Sequence, residues 1–265
     1  MLIELKGVTA GYGRNTILRD IDLKIEQGEK VFIGGANGSG KTTLLRVIAG
    51  LIPYKGEVLI MGRDIKSYKR KELARIISLM PQQNQIYFAY KVKDAVSLGR
   101  YAHTSLLGSD PKENSKITYD VMKTCGILDL KDRFLNELSG GQVQRVMLAM
   151  CFCQASPVIL LDEPGSNLDI KYNAEIEKHI NVWMRDSSEV SGMPVKNTAI
   201  AVFHDLSQAL RFSGRAVLLK EGRIFYDGSL EDAVTGGIAS EVYDFDIANY
   251  KREEQSLWNF VQPDR

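Results

Sequence analysis

Residues 35–42 read Gly35-Ala36-Asn37-Gly38-Ser39-Gly40-Lys41-Thr42, which fits the pattern G-x-x-x-x-G-K-[ST]. That pattern constrains the fold on both sides. It needs a strand feeding a glycine-rich turn and a helix leaving it. The run from Lys30 to Gly34 has strand character, and Lys41 to Ala49 has helical composition that stops at Gly50. Gly35, Gly38 and Gly40 let the backbone wrap around phosphate oxygens with N–H groups facing inward, and the helix start adds its positive end. Lys41 then supplies a charge to β and γ phosphates, and Thr42 a hydroxyl to Mg²⁺.

The rest of the chain supplies what such a loop needs around it. Leu2 to Val8 alternates like a strand, and short apolar runs recur at 57–61, 76–80, 158–161, 198–203, 216–220 and 224–227. Helical segments separate most of them, which predicts an α/β core with substantial parallel pairing. Between Asp110 and Gln154 the pattern turns helical: Ile117, Val121, Met122 and Cys125 share a face, and Gly126 follows. Ile176, Ile180, Trp183 and Met184 likewise share a face, and the turn-forming residues 187–197 are expected to be an exposed loop. The run Val158 to Leu161 ends in Asp162-Glu163-Pro164, so two carboxylates emerge at a strand's C-terminal edge, where α/β sheets bind ligands. There Asp162 is placed to hold Mg²⁺ and Glu163 to deprotonate an attacking water.

Composition excludes several alternatives. Lys and Arg number 34 against 33 acidic residues, so no bulk positive field calls for nucleic acid. The longest apolar run, Val146 to Cys153, is far short of the ~20 residues that span a bilayer. The N-terminal residues carry Glu4 and Lys6 in place of a secretory apolar stretch, which places the chain in the cytosol. Cys125, Cys151 and Cys153 form no Cys-x-x-Cys pair, and His103, His179 and His204 complete no zinc pattern, so the cysteines are expected as buried packing.

Leu138-Ser139-Gly140-Gly141-Gln142 adds a serine and adjacent glycines at a helix start, a second place for phosphate. With the loop at 35–42 and the carboxylates at 162–163 in the same order, the sequence resembles an ABC-type ATPase cassette over residues 1–235. The resemblance implies an α/β P-loop NTPase (RecA-like) core, an N-terminal antiparallel β region, a helical subdomain inserted at about 84–157, and a C-terminal extension at 236–265. It implies that Gly35, Asn37, Gly38, Ser39, Gly40, Lys41, Thr42 and Thr43 hold ATP, with Tyr12 stacking on adenine. It further implies Thr42, Gln82 and Asp162 around Mg²⁺, Glu163 as catalytic base, and Gln82 and His204 as γ-phosphate sensors. Gln83 and Gln85 are alternative registers for Gln82. Ser139, Gly140, Gly141, Gln142 and Asp169 match the segments that reach the nucleotide of a second copy, so the implied partner is a homodimer mate. Ala36 stands where proline is frequent, and Thr42-Thr43 replaces Ser-Thr; neither removes a ligand.

The spacing between Lys41 and Ser139 leaves no room for the long coiled coil of chromosome-maintenance relatives. The segment ending Gly99-Arg100-Tyr101-Ala102-His103 resembles the GRYPH segment of importers for iron–siderophore complexes, haem or cobalamin, with Ala102 for proline. Ser240 to Asp246 resembles their Glu-Val-Tyr-Gly-Val-Asp element, with Asp244 for glycine. These matches imply transmembrane permease subunits as partners, docked by the groove-facing segment from Ile86 to Tyr101, in which Arg100 and Tyr87 are expected to take part. They also imply a solute-binding protein as an indirect partner and a peripheral place on the cytoplasmic face of the membrane. The alternative reading is a soluble assembly ATPase like that of iron–sulfur cluster biogenesis.

Overall fold

Five parallel strands carry the site, and their order sets which chain segments meet at its edge. A computed structural model of the protein describes residues 1–82, 90–104, 111–165, 170–247, 249–253 and 256. Lys30–Gly34 lies between Thr198–Val202 and Arg215–Lys220. Val158–Asp162 pairs on the far side of Thr198–Val202, Ile77–Met80 pairs beyond that, and Arg223–Ser229 adds an antiparallel edge. Every residue of Val158–Asp162 and of Thr198–Val202 is buried, as parallel strands covered on both faces must be. This is the α/β core expected from the sequence.

One face is covered by the helix Lys41–Ile48, whose Leu44, Leu45, Val47 and Ile48 share a core with a second, antiparallel sheet. That sheet has the order Asn15–Ile25, Ile3–Tyr12, Tyr54–Ile60, Arg63–Asp64. The strand Asn15–Ile25 escapes a simple alternation test because register shifts interrupt its pairing, and Asp20 takes a left-handed φ of 55° between the buried Leu18 and Ile21. The other face is covered by Gly140–Cys153 and Ile170–Trp183, and by Leu206–Phe212, Leu230–Thr235 and Ile238–Tyr243.

The helices Val92–Leu98, Pro111–Thr124 and Gly140–Cys153 enclose their own core around Val96, Met122, Cys125, Val146 and Ala149. All three cysteines are buried as expected, and burial pushes the Cys125 and Cys151 thiols up to about 12. Residues 187–197 are not the open loop expected. They form a hairpin, Ser187–Val190 with Met193–Lys196, because Ser191 and Gly192 both take positive φ in a tight turn that suits twisted strands. Val190 and Val195 bury on the main core, and the buried Asn197 ties the hairpin to the Trp183 carbonyl and the Ser188 hydroxyl.

The two sheets touch where the Arg19 N–H donates to the Gly222 carbonyl at 2.8 Å. Gly222 has φ 77°, and a β-carbon there would overlap the carbonyl oxygen of Ile17. Gly222→Ala should therefore destabilise the chain by about 1–3 kcal/mol, read as a lower denaturation midpoint with an unchanged slope.

Candidate functional site

The strand Lys30–Gly34 ends in the loop 35–40, which turns only because its glycines accept unusual backbone angles. Gly35 has φ 138° and lies against the Leu219 carbonyl; Gly40 has φ 108° and lies against the Leu18 side chain. The helix Lys41–Ile48 follows with no acidic residue in its first turn. Lys41 folds back so that Nζ donates to the carbonyls of Gly35 at 2.8 Å and Ala36 at 3.0 Å. Burial pulls the Lys41 ammonium below its usual range, opposed by the charges of Glu163 and Asp162. The Ser39 hydroxyl is buried with no hydrogen-bond partner among the described residues. An orphaned hydroxyl, a buried ammonium and a helix N-terminus together fit a polyphosphate.

Opposite the loop, Val202 pairs with Asp162, which brings the exits of Thr198–Val202 and Val158–Asp162 level. Asp162 is only 3% exposed, and its Oδ1 accepts the Thr42 hydroxyl at 3.0 Å. Burial raises its pKa and Glu163 adds to the effect, against the Thr42 hydrogen bond. A hydroxyl and a carboxylate are hard oxygen donors of the kind that share Mg²⁺ with substrate phosphates. Glu163 follows with φ 58°, a left-handed angle that costs a non-glycine residue about 1–2 kcal/mol. Its N–H donates to the Val202 carbonyl at 3.1 Å, and both of its carboxylate oxygens are engaged. Gln82 Nε2 donates to Oε2 at 2.6 Å, and His204 Nε2 lies 2.7 Å from Oε1. The imidazole stays 56% exposed while the carboxylate is buried.

The structure thus gathers Lys41, Thr42, Gln82, Asp162, Glu163 and His204 in one chain. Tyr12 is exposed near them, its hydroxyl accepting from Arg46 of the loop's helix at 3.0 Å. Ser139 caps Gly140–Cys153 by accepting the Gln142 N–H, while the Gln142 side chain accepts the Ser139 N–H. Among the described residues, no hydrogen bond or ion pair joins 138–142 to the loop 35–43. Asp169, Gln83, Gln85 and Tyr87 lie outside the described residues. Arg100, expected to take part in docking, is buried, donating to Asn114 Oδ1 and to the Cys153 carbonyl, both at 3.0 Å. Two residues near the loop were not anticipated: Arg46 beside Tyr12, and Tyr243, which reaches the Gly35 N–H.

Residues 18–166 match the family model described as ABC transporter. Over 247 residues the chain is 33% identical to the petrobactin import ATP-binding protein YclP of Bacillus subtilis, covering 93% of this chain and 94% of that one. It is 34% identical over 237 residues to the ferric enterobactin transport ATP-binding protein FepC of Escherichia coli, covering 89% and 84%. An uncharacterised ABC transporter ATP-binding protein of Bacillus subtilis, YvrA, is 34% identical but longer, and this chain spans 54% of it. Among solved structures, an ATP-binding cassette in a dimeric post-hydrolysis state with ADP and phosphate superposes with a TM-score of 0.72 at 28% identity, covering 86% of this chain and 99% of that one.

Because burial lifts the Asp162 carboxyl above its usual range, the folded ligand-free chain holds this charge at a cost at neutral pH. The cost vanishes once both folded and unfolded forms are protonated. Asp162→Asn should raise the melting temperature of the ligand-free chain at pH 7, and the gain should shrink as pH falls into the ordinary carboxylate range. A lower melting temperature for the variant at pH 7 would mean that the Lys41 and Arg46 charges outweigh burial.

Proposed function

The chain belongs to the ABC transporter family, and from that premise we propose that it is the ATP-binding and ATP-hydrolysing subunit of a membrane importer for a metal chelate such as an iron–siderophore complex, haem or cobalamin. The observation that carries the ATPase reading is the Glu163 carboxylate, held between Gln82 and His204 one residue beyond the Asp162–Thr42 pair. Bound Mg²⁺ would neutralise charge on the β and γ phosphates, and Thr42 and Asp162 supply its protein oxygens. Lys41 exchanges the carbonyls of Gly35 and Ala36 for phosphate oxygens. Glu163 accepts a proton from water as the water oxygen bonds to the γ-phosphorus and the bond to the β,γ-bridging oxygen breaks, giving ADP and inorganic phosphate. Each carboxylate oxygen has one partner and keeps a further lone pair for that water.

Among the described residues no hydrogen bond or ion pair joins the segment Ser139 to Gln142 to the loop of its own chain, which favours its use on the nucleotide of a second copy. The structural relative at 28% identity is itself dimeric. Two copies closing head to tail on ATP, then parting after hydrolysis, supply the stroke. Glu163→Gln should retain ATP binding, lower turnover by ~10²–10⁴-fold and accumulate an ATP-bound dimer. Steady-state hydrolysis by the assembled complex and light scattering with ATP check this, and near-normal turnover removes Glu163 from the role.

Import is supported by the segments 99–103 and 240–246 and by the names of YclP and FepC. Among the described residues no helix is long and apolar enough to cross a membrane, so attachment falls to permease subunits at the cytoplasmic face, with a solute-binding protein delivering cargo from outside. A groove of ≈ 370 Å³, lined by Leu51, Leu73, Ile77, Leu98, Tyr101 and Ala102, lies between the core and the helical cluster. Tyr101 is 65% exposed there, and a short permease helix seated on it would contact both bodies. Tyr101→Ala should weaken co-purification with the permease by about tenfold or more while nucleotide affinity holds. Stoichiometric purification with soluble iron–sulfur assembly proteins instead would favour the assembly ATPase.

A further inference from the structure

The helix Ile238–Tyr243 has so far entered the reading only through its sequence resemblance, yet it ends at the phosphate loop. Its inner face is apolar: Ala239 and Val242 are buried with Phe32, Leu218 and Leu230. Phe32 belongs to the strand that feeds the loop, and Leu218 to the strand beside it. The last helical residue, Tyr243, accepts the Gly35 N–H on its hydroxyl at 2.9 Å. Gly35 is the first residue past the sheet on this side, because the ladder to Arg215–Lys220 ends at the pair Leu218 and Gly34. Its N–H therefore finds an acceptor in a side chain 208 positions away.

The helix end is fastened to the same strand. Lys220 Nζ donates to the Glu241 carbonyl at 2.6 Å and pairs with Asp244 Oδ1 at 3.0 Å. Asp244 takes φ 50° as the helix terminates, a place glycine favours. The Lys220 contact gives the aspartate a use that a glycine would lack. Burial also lifts the Tyr243 phenol above its ordinary pKa, so the hydroxyl stays neutral at physiological pH.

We propose that Tyr243 is a positioning residue for the phosphate loop, holding the Gly35 peptide in the orientation that lets the following N–H groups face phosphate. This rests on the nucleotide reading of residues 35–42. Without the hydroxyl, a buried N–H is left unpaired, and the loop relieves it by leaving that conformation. Apparent nucleotide affinity falls by the fraction of loop lost, because binding must first restore it.

The test is Tyr243→Phe, which keeps the ring and removes the acceptor. Titration calorimetry with ATP and with ADP, each with Mg²⁺, should show both dissociation constants raised about 5- to 50-fold. KM for ATP should rise by the same factor while kcat at saturating ATP stays within about twofold, since bound nucleotide repays the ordering. Lys220→Met, which loosens the helix but leaves the hydroxyl, should shift both constants in the same direction by less. A purely structural role would lower the melting temperature and leave the affinities of the folded protein alone. Dissociation constants within about twofold of wild type, or a fall in kcat at unchanged KM, overturn the proposal. If the wild-type chain binds neither nucleotide, the nucleotide reading itself fails and takes this inference with it.

Discussion

The register of the parallel ladder decides where chemistry can sit in this chain. Ile33 pairs with Val202, Val202 with Asp162, and Leu161 with Met80. Four exits therefore open along one edge: the loop at Gly35, then His204, Glu163 and Gln82. A slip of one residue in Val158–Asp162 would turn every side chain to the opposite face and move Asp162 away from Thr42. Such a slip is opposed by burial on both sides, because Leu160 and Val158 pack in one core while Ile159 and Leu161 pack in another. Close packing on both faces of the sheet thus holds the polar geometry at its edge.

That edge concentrates charge where water is scarce, and each group is satisfied internally. Lys41 rests on two carbonyls, Asp162 on a threonine, and Glu163 between an amide and an imidazole. Burial pushes the Lys41 ammonium down and the Asp162 carboxyl up, so both drift toward their neutral forms. A triphosphate with a divalent cation reverses both tendencies, since phosphate charge favours the ammonium and the cation favours the carboxylate. The charges of this edge are thus arranged so that an anion beside Lys41 and a cation beside Asp162 would each offset the cost of burial.

Much of this was legible because the loop 35–42, the carboxylates 162–163 and the capped helix at 139–142 are each local. Glycine positions, strand ends and caps are written within a few residues of where they act. The strand Asn15–Ile25 was harder, since bulges break its period, and the hairpin at 187–196 hid because Ser-Gly marks a turn without saying what flanks it. Arg100 was misplaced for a different reason. It stands in the short helix Gly99–His103, where its neighbours are fixed by packing against Cys153 and Asn114, far along the chain. The Tyr243–Gly35 bond was invisible for the same reason: nothing within either segment refers to the other. Sequence exposed the groups that a local motif needs, and tertiary packing chose their partners.

Packing also links the groove to the segment Ser139 to Gln142. Gly99–His103 lines the groove and is tied to the end of Gly140–Cys153 by Arg100 on the Cys153 carbonyl and His103 on the Gln154 carbonyl, at 3.0 and 2.7 Å. Gly99 fits against Met150 only because it lacks a β-carbon. On the core side, the Gln154 amide donates to the carbonyls of Ala74 and Ile77, so the same junction is fastened to the strand that leads to Gln82. At the other end of this 14-residue helix, about 20 Å away, sits the Ser139 cap. The groove lining and the Ser139 cap are therefore joined through one hydrogen-bonded helix, and the bonds of Gln154 to Ala74 and Ile77 fix that helix's far end on the core.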